Sequence, residues 1–174
     1  MKLKKISLTM LIMLSGLTFG QNSLQAQKEI RMEFSERNIL SYQQNSQNKI
    51  IEFYEYLSLY STESDENLKK QIIQNIYSLT KNEINLVDIT HHEFPTIKLN
   101  LFLQKIEYKN YQFIVKSPSS SEDIGLNEWG NYFEVELNGK STQLTQQIIF
   151  EPTEKSFGDR TKTIWNLRLG DQFK

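Results

Sequence analysis

The sequence contains no cysteine, and that absence excludes several kinds of protein. A bacterial lipoprotein carries its lipid on a cysteine directly after the leader, so this chain is not a lipoprotein. Disulfides, thiol chemistry and zinc sites built on thiolates are excluded for the same reason. The chain must therefore be stabilised by its own hydrophobic core. That is feasible, because a domain of about 150 residues buries roughly two-thirds of its unfolded surface.

Long apolar runs, basic runs and glycine-rich loops are also scarce. The most apolar stretch, residues 6–17, has 12 residues, fewer than the roughly 20 that a membrane span needs. Gly158 stands alone, without the repeated glycines of a phosphate-binding loop. The net charge is −1, or near −4 without the three lysines of the leader, and the only later basic run is Lys69-Lys70. We therefore predict no nucleic-acid partner and no anionic-membrane surface.

Residues 1–26 have the layout of a secretory signal peptide. Lys2, Lys4 and Lys5 precede the apolar stretch, and a short polar segment follows it. Cleavage after Ala26 is favoured, with cleavage after Gly20 and a retained signal anchor as alternatives. The sequence thus predicts an exported protein, periplasmic or secreted, with no stable membrane anchor after cleavage.

The first half of the remaining chain is predicted to be helical. Residues 27–46 form a polar lead segment or the first turns of a helix. From residue 48 a helical stripe follows, with Phe53 and Leu57 on the face turned to the sheet. Ser64 and Asp65 are both suited to cap a second helix that runs to about Thr80. Residues 83–89 favour a strand. Residues 95–108 alternate like a strand but also repeat like a helix, and Pro95 favours a helix that starts with it.

The second half is predicted to be an antiparallel sheet. Runs of strand-like alternation cover residues 111–115, 132–137, 144–150 and 162–169, and turn-forming residues 117–127 interrupt them. Asn138-Gly139 signals a tight hairpin, and Pro152 and Gly158 indicate a loop. Trp165 is assigned to the buried face. Two or three helices followed by four or more antiparallel strands predict the α+β class.

This order of elements resembles the nuclear transport factor 2-like superfamily, in particular exported bacterial members of unknown role. The resemblance covers about residues 47–171, within a domain of residues 47–174. It is carried by the segments IIEFYEYLSLY, LVDI, FPTIKLNLFLQKI, YFEVELNG, QQIIFEPTEKSFG and KTIWNLRLG. It implies a curved, cone-like sheet with the helices on its concave side, and a possible homodimer through the sheet. It implies no single activity, because the superfamily hosts isomerases, dehydratases, polyketide cyclases, transport adaptors and secretion-system scaffolds.

Asp88, His91 and His92 are the candidate catalytic residues. Asp88 lies in an apolar setting, where a carboxylate must be paired, exposed or functional. Asp88 with a histidine makes an acid-base or metal pair conceivable on a turn. The alternative is an exposed loop before Pro95, because adjacent histidines rarely bind one metal. We predict no metal centre and no cofactor.

Tyr54, Trp129 and Tyr132 are the candidate ligand-binding residues. Each has the alternative of an ordinary aromatic that packs against the core or sheet. The favoured function is an exported, non-catalytic binding or interaction module for an unknown small molecule or protein. The alternatives are an isomerase or lyase that uses the cone, and a periplasmic component of an envelope or secretion assembly. An open pocket with convergent titratable groups favours the enzyme, whereas a cone filled by its own side chains favours the module.

Overall fold

The computed structural model describes residues 34–125 and 127–174. The predicted leader, residues 1–26, and residues 27–33 of the lead segment lie outside the described residues. The chain divides into two units, Met1–Ile39 and Leu40–Lys174, and the strands of the described residues belong to the second unit.

Three helices and six strands lie within the described residues. The helices are α1 (Glu36–Thr62), α2 (Glu66–Leu79) and α3 (Leu99–Ile106). The strands are β1 (Asn85–Val87), β2 (Thr96–Lys98), β3 (Phe113–Ile124), β4 (Glu128–Leu137), β5 (Lys140–Phe157) and β6 (Arg160–Phe173). β1 and β2 form a small hairpin, and the other four form an antiparallel sheet in the order β3-β4-β5-β6. The α+β prediction is confirmed, and the four-stranded sheet stays open, as in a cone-like fold.

Helix α1 begins at Glu36, well before the apolar stripe. Its polar first half is attached to the sheet by hydrogen bonds, because Gln43 donates to the Ser121 carbonyl and Gln47 to the Ser120 hydroxyl, each at 3.0 Å. The stripe itself is confirmed, since Phe53 and Leu57 are fully buried. None of the helices in residues 34–125 and 127–174 is long and apolar enough to cross a membrane.

Helix α2 starts at the predicted cap. The Asp65 carboxylate accepts hydrogen bonds from the backbone N–H groups of Asn67 and Leu68 at 2.7 and 3.0 Å, and these bonds lower its pKa. Lys69, one turn further on, is buried and pairs with Glu107 at 3.0 Å after the end of α3. Burial lowers the pKa of Lys69, but hydrogen bonding to Tyr108 and Glu107 raises it by more, so the net shift is upward. Lys69 of the Lys69-Lys70 pair therefore links α2 to the residue that follows α3.

The prediction of a helix from Pro95 is wrong at its start. Residues 96–98 form β2, because Ile97 pairs with Leu86 of β1, and Pro95 lies before that strand. The helix runs only from Leu99 to Ile106, and it buries Leu99, Phe102, Leu103 and Ile106. The helical repeat correctly predicts α3, but residues 96–98 pair with β1 and form a strand instead of the first turn of the helix.

Two predicted loops of the sheet are wrong in large part, although Gly158 does lie in a turn between β5 and β6. β3 continues through residues 117–124, because irregularities in its register with β4, after Lys116 and after Ser120, absorb the turn-forming residues. Pro152 lies inside β5. Ile149 is the last residue of β5 that pairs with β4, so beyond it β5 is an edge strand on that side. Pro152, which has no N–H group to donate, is tolerated there. Trp129 lies just after those turn-forming residues and is the second residue of β4.

The hairpin at Asn138-Gly139 is confirmed. Both residues have positive φ, 53° and 76°, as the twist-matched two-residue turn requires. Along β4 the more buried and the less buried residues alternate, so that one face packs under α1 and the other faces outward. The buried residues of β4 are Trp129, Asn131, Phe133, Val135 and Leu137.

On β6, Trp165 is half-buried and stacks on Phe150, with ring centroids 4.8 Å apart.

Candidate ligand-binding cleft

The face of the sheet that packs against α1 is filled by the protein's own side chains. The Tyr54 ring lies 5.9 Å from that of Phe113 and 5.8 Å from that of Phe133. Its hydroxyl accepts a hydrogen bond from Gln172 at 3.1 Å, and Gln172 also donates to Gln146 at 2.9 Å. Burial raises the pKa of Tyr54, and the bond from Gln172 lowers it only in part, so the phenol stays neutral. The structure thus places Tyr54 inside the packed core.

Trp129 also points into the core. Its indole N–H donates to the Ser46 hydroxyl at 3.2 Å, and the Asn131 amide donates to the same oxygen at 2.8 Å. The Oδ1 atom of Asn131 is buried and has no hydrogen-bond partner among the described residues. Tyr132, which follows Asn131, faces the opposite side of the sheet and is 52% exposed. The three candidate ligand-binding aromatics therefore do not converge on one site.

The two histidines, in contrast, line a cleft of about 640 Å³ at one end of the sheet. One wall is the loop between β1 and β2, which contributes residues 89–92 and Phe94. The other wall is the β4–β5 hairpin, which contributes residues 137–138 and 140–142, and Tyr111 adds to the lining. The cleft thus lies between an irregular loop and a well-defined turn.

Asp88 holds the loop wall in place. Its side chain is buried and accepts hydrogen bonds from the Thr90 hydroxyl at 2.6 Å and the Thr90 N–H at 3.0 Å, and it forms an ion pair with Lys105 of α3. Its backbone N–H donates to the Pro95 carbonyl at 2.8 Å, which closes the loop. Burial raises the pKa of Asp88, but the hydrogen bonds from Lys105 and Thr90 outweigh it, and the net pKa is lowered. Asp88 is therefore a fully partnered carboxylate.

The histidine rings lie side by side, with centroids 4.5 Å apart and planes 32° apart. Nδ1 of His91 accepts from the backbone N–H of Glu93 at 3.2 Å, so the neutral ring carries its proton on Nε2. His92 is more exposed, and its Nε2 lies 3.6 Å from the Glu93 carboxylate. The loop is bent further by Phe94, whose φ is 52°. These contacts direct both rings along the cleft wall.

The lining of the cleft has one electrostatic character. Lys140, His91 and His92 supply nitrogen bases, and hydroxyls come from Thr90, Ser141, Thr142 and Tyr111. Among the described residues that line the cleft, none is an aspartate or glutamate. Such a surface suits an anion, which can accept hydrogen bonds from hydroxyl and charged nitrogen donors at once.

A metal centre finds no support in the same residues. Within residues 34–125 and 127–174 no three side chains of the types His, Cys, Asp and Glu are grouped as metal ligands. Asp88 meets Lys105 and Thr90, and its described contacts include no histidine side chain.

Lys105, Lys140, Ser141 and Thr142 were not among the predicted site residues. The Asn138-Gly139 turn was a signal for the last three, because residues directly after a hairpin turn share its end of the sheet. Lys105 had no such signal, since 17 residues separate it from Asp88.

Comparison with protein-family models, with curated proteins and with solved structures gave no match for this chain.

Proposed function

We propose that the protein is an exported, non-catalytic binding module that holds a small organic anion in the cleft between the β1–β2 loop and the β4–β5 hairpin. The observation that carries this proposal is the described lining, which has Lys140 and two histidines and no carboxylate. A hydrogen bond from the charged Lys140 ammonium to an anion is among the stronger polar contacts, and the N–H groups of the two histidines add further donors beside it.

The face of the sheet that packs against α1 is filled by side chains, and this supports a binding module rather than an enzyme. A general base for isomerase or lyase chemistry needs a pKa near the working pH and access to a substrate proton. Asp88 has a lowered pKa and is engaged by Lys105 and Thr90, and the Tyr54 phenol is buried against Phe113 and Phe133. Both groups are better explained as stabilising parts of the fold.

The nuclear transport factor 2-like relationship is part of the proposal. Its support is the order of elements, in which helices precede an open antiparallel sheet. Export, with cleavage after Ala26, is proposed from the leader alone. N-terminal sequencing of protein from the exported fraction should begin at Gln27, or at Gln21 if Gly20 is the site. Finding Met1 on membrane-bound protein would contradict cleavage.

The test of the binding proposal is an NMR titration of the ¹⁵N-labelled exported form with succinate and, separately, with inorganic phosphate. We expect saturable shifts of the amides of residues 89–94 and 138–142.

Two variants and a control make the test specific. Lys140→Gln and the double variant His91→Gln/His92→Gln should each weaken binding about tenfold. Lys109→Gln, an exposed lysine outside the cleft lining, should bind as the natural protein does. Absence of shifts with both anions, or equal weakening by Lys109→Gln, would contradict the proposal.

A further inference from the structure

The β5–β6 hairpin continues beyond the rest of the sheet. The last pair between β4 and β5 is Glu128↔Ile149, whereas β5 and β6 stay paired as far as Phe157↔Arg160. Residues 152–163 are exposed on both strands. The hairpin closes with a two-residue turn, Gly158-Asp159, whose glycine has a φ of 62° as a twist-matched turn requires. We call this projecting hairpin, residues 152–165, the ribbon.

One face of the ribbon gathers its positive charges. Lys155 pairs directly with Lys162, and the next pair on the same face is Phe157 with Arg160 at the tip. Because side chains alternate along a strand, Glu154 falls on the opposite face. Asp159 is in the turn itself. The three basic residues and the exposed phenylalanine thus share a face without an acidic residue.

This arrangement is unfavourable for the fold considered alone. Like charges directly opposite each other in an antiparallel pair are destabilising. Among the described residues no carboxylate forms an ion pair with Lys155, Arg160 or Lys162. The Phe157 ring is 52% exposed, and its described ring contact is with Lys155 at 5.8 Å. A partner with negative charge would reduce the repulsion between these cations, and an apolar layer in the same partner would bury the Phe157 ring.

We propose that this face of the ribbon docks on an anionic lipid surface. Phe157 lies at the tip and the lysine pair lies two residues behind it, which is about 7 Å along a strand. An interfacial segment buries its apolar residues about 5–10 Å deep, at the boundary of headgroups and acyl chains, with its cations among the phosphates. In the ribbon the apolar Phe157 lies at the tip and the lysine pair lies behind it, which matches the order of acyl chains and phosphates in a membrane surface.

A nucleic acid fits this face less well. Duplex-binding proteins commonly neutralise about six to ten phosphates, and the ribbon offers three cations and one aromatic ring. The sequence analysis predicts no anionic-membrane surface, because the net charge is slightly negative and the only later run of consecutive basic residues is Lys69-Lys70, so this proposal departs from that prediction. Antiparallel pairing brings Lys155, Arg160 and Lys162 together although they are not consecutive. This proposal does not depend on the cleft or its ligand.

The test is co-sedimentation of the exported form with large vesicles of phosphatidylcholine, with and without about 30% phosphatidylglycerol. We expect binding only to the anionic vesicles, and less of it at about 0.3 M salt than at about 0.05 M. The ribbon variant is Lys155→Gln/Arg160→Gln/Lys162→Gln. Each cation near the surface contributes about fivefold, so this variant should partition about 100-fold less.

A matched control has the same change in net charge. Lys49→Gln/Lys70→Gln/Lys109→Gln removes three cations outside the ribbon and should keep most of the binding. Phe157→Trp gives a second readout, because a tip that enters the interface should shift its fluorescence to the blue on anionic vesicles. Circular dichroism confirms that each variant is folded.

Three results would overturn the proposal. The first is no preference of the natural protein for anionic vesicles. The second is an equal loss of binding in the ribbon variant and the matched control. The third is tight, ribbon-dependent binding of a single-stranded oligonucleotide or a polyglutamate peptide without vesicle binding, which would assign the face to that partner instead.

Discussion

The two halves of β5 differ although one continuous strand of 18 residues contains both. In the first half β5 lies between β4 and β6, and Leu144, Gln146 and Ile148 are buried. From Pro152 onward the strand pairs with β6 alone, and both of its faces are exposed. The difference shows that alternation predicts a strand, whereas the neighbours of the strand decide whether it is buried.

The two hairpin turns at the ends of β5 differ in the same way. Asn138-Gly139 adjoins the cleft and the buried half of the sheet, and Gly158-Asp159 closes the exposed ribbon. One end therefore combines a well-defined turn with a concave surface, and the other presents a two-stranded face to its surroundings. Paired substitutions, one in each region, can test this contrast.

The largest effect is expected from matched phenylalanine truncations. Phe53→Ala in α1 should lower the free energy of unfolding by about 3–5 kcal/mol, because it leaves a cavity in a fully buried position. Phe157→Ala at the ribbon tip should change it by less than about 0.5 kcal/mol. Urea titration measures both, and similar values would show that the ribbon is part of the cooperative core.

The next effect concerns buried and exposed carboxylates. Asp88→Asn should destabilise the fold by about 2–4 kcal/mol at neutral pH, because it removes a buried charge that Lys105 and Thr90 both engage. Asp159→Asn in the exposed turn is the control and should change stability by less than about 0.5 kcal/mol. Urea titration of both variants checks this, and equal losses would show that burial of Asp88 has no energetic consequence.

The Asp88 effect should also depend on pH. Folding lowers the pKa of Asp88, so its contribution is fully present above the unfolded pKa of about 3.9 and is lost as pH falls through the folded value. The gap in stability between the natural protein and Asp88→Asn should therefore narrow below about pH 4. A gap that widens in acid would show that the carboxylate is not stabilised in its charged form.

A smaller effect separates the two turns. Gly139→Ala should lower global stability by about 1 kcal/mol, because alanine is strained at a φ of 76°. Gly158→Ala has the same conformational strain, but it should act locally and raise hydrogen exchange in the ribbon with little global change. Equal shifts of the urea midpoint in the two variants would contradict the independence of the ribbon.

The smallest effect is a gain in stability. Lys162→Glu replaces a like-charge pair with an opposite-charge pair across from Lys155, which should stabilise the ribbon by about 0.2–0.5 kcal/mol. Slower hydrogen exchange of the ribbon amides should report this gain, while binding to anionic vesicles falls. If exchange is unchanged and vesicle binding persists, the lysine pair has neither of the effects assigned to it.

Local sequence patterns predicted much of the fold. The stripe with Phe53 and Leu57, the cap at Asp65 and the turn at Asn138-Gly139 depend on contacts within one or two turns of the chain, and the structure confirms each. The errors occurred where a distant partner overrode a local preference. Ile97 pairs with Leu86, and the turn-forming residues 117–124 belong to the strand that pairs with β4.

The candidate site was predicted only in part. The sequence singled out Asp88, His91 and His92, and the structure places both histidines in the cleft wall while Asp88 binds Lys105. Lys140 and the hydroxyls of the facing hairpin were missed, because nothing in a linear pattern shows that two turns about 50 residues apart form one concave surface.

The sequence by itself determined the α+β class, the main helical stripe and the Asn138-Gly139 turn, because periodicity and turn chemistry are local properties. Only the tertiary structure decided that the aromatic side chains fill the interior, that Asp88 is paired, and that Lys155, Arg160 and Lys162 share one face. Each of these depends on strand register and on packing between distant segments. Register and packing are fixed by the whole chain at once, so no single stretch of the sequence records them.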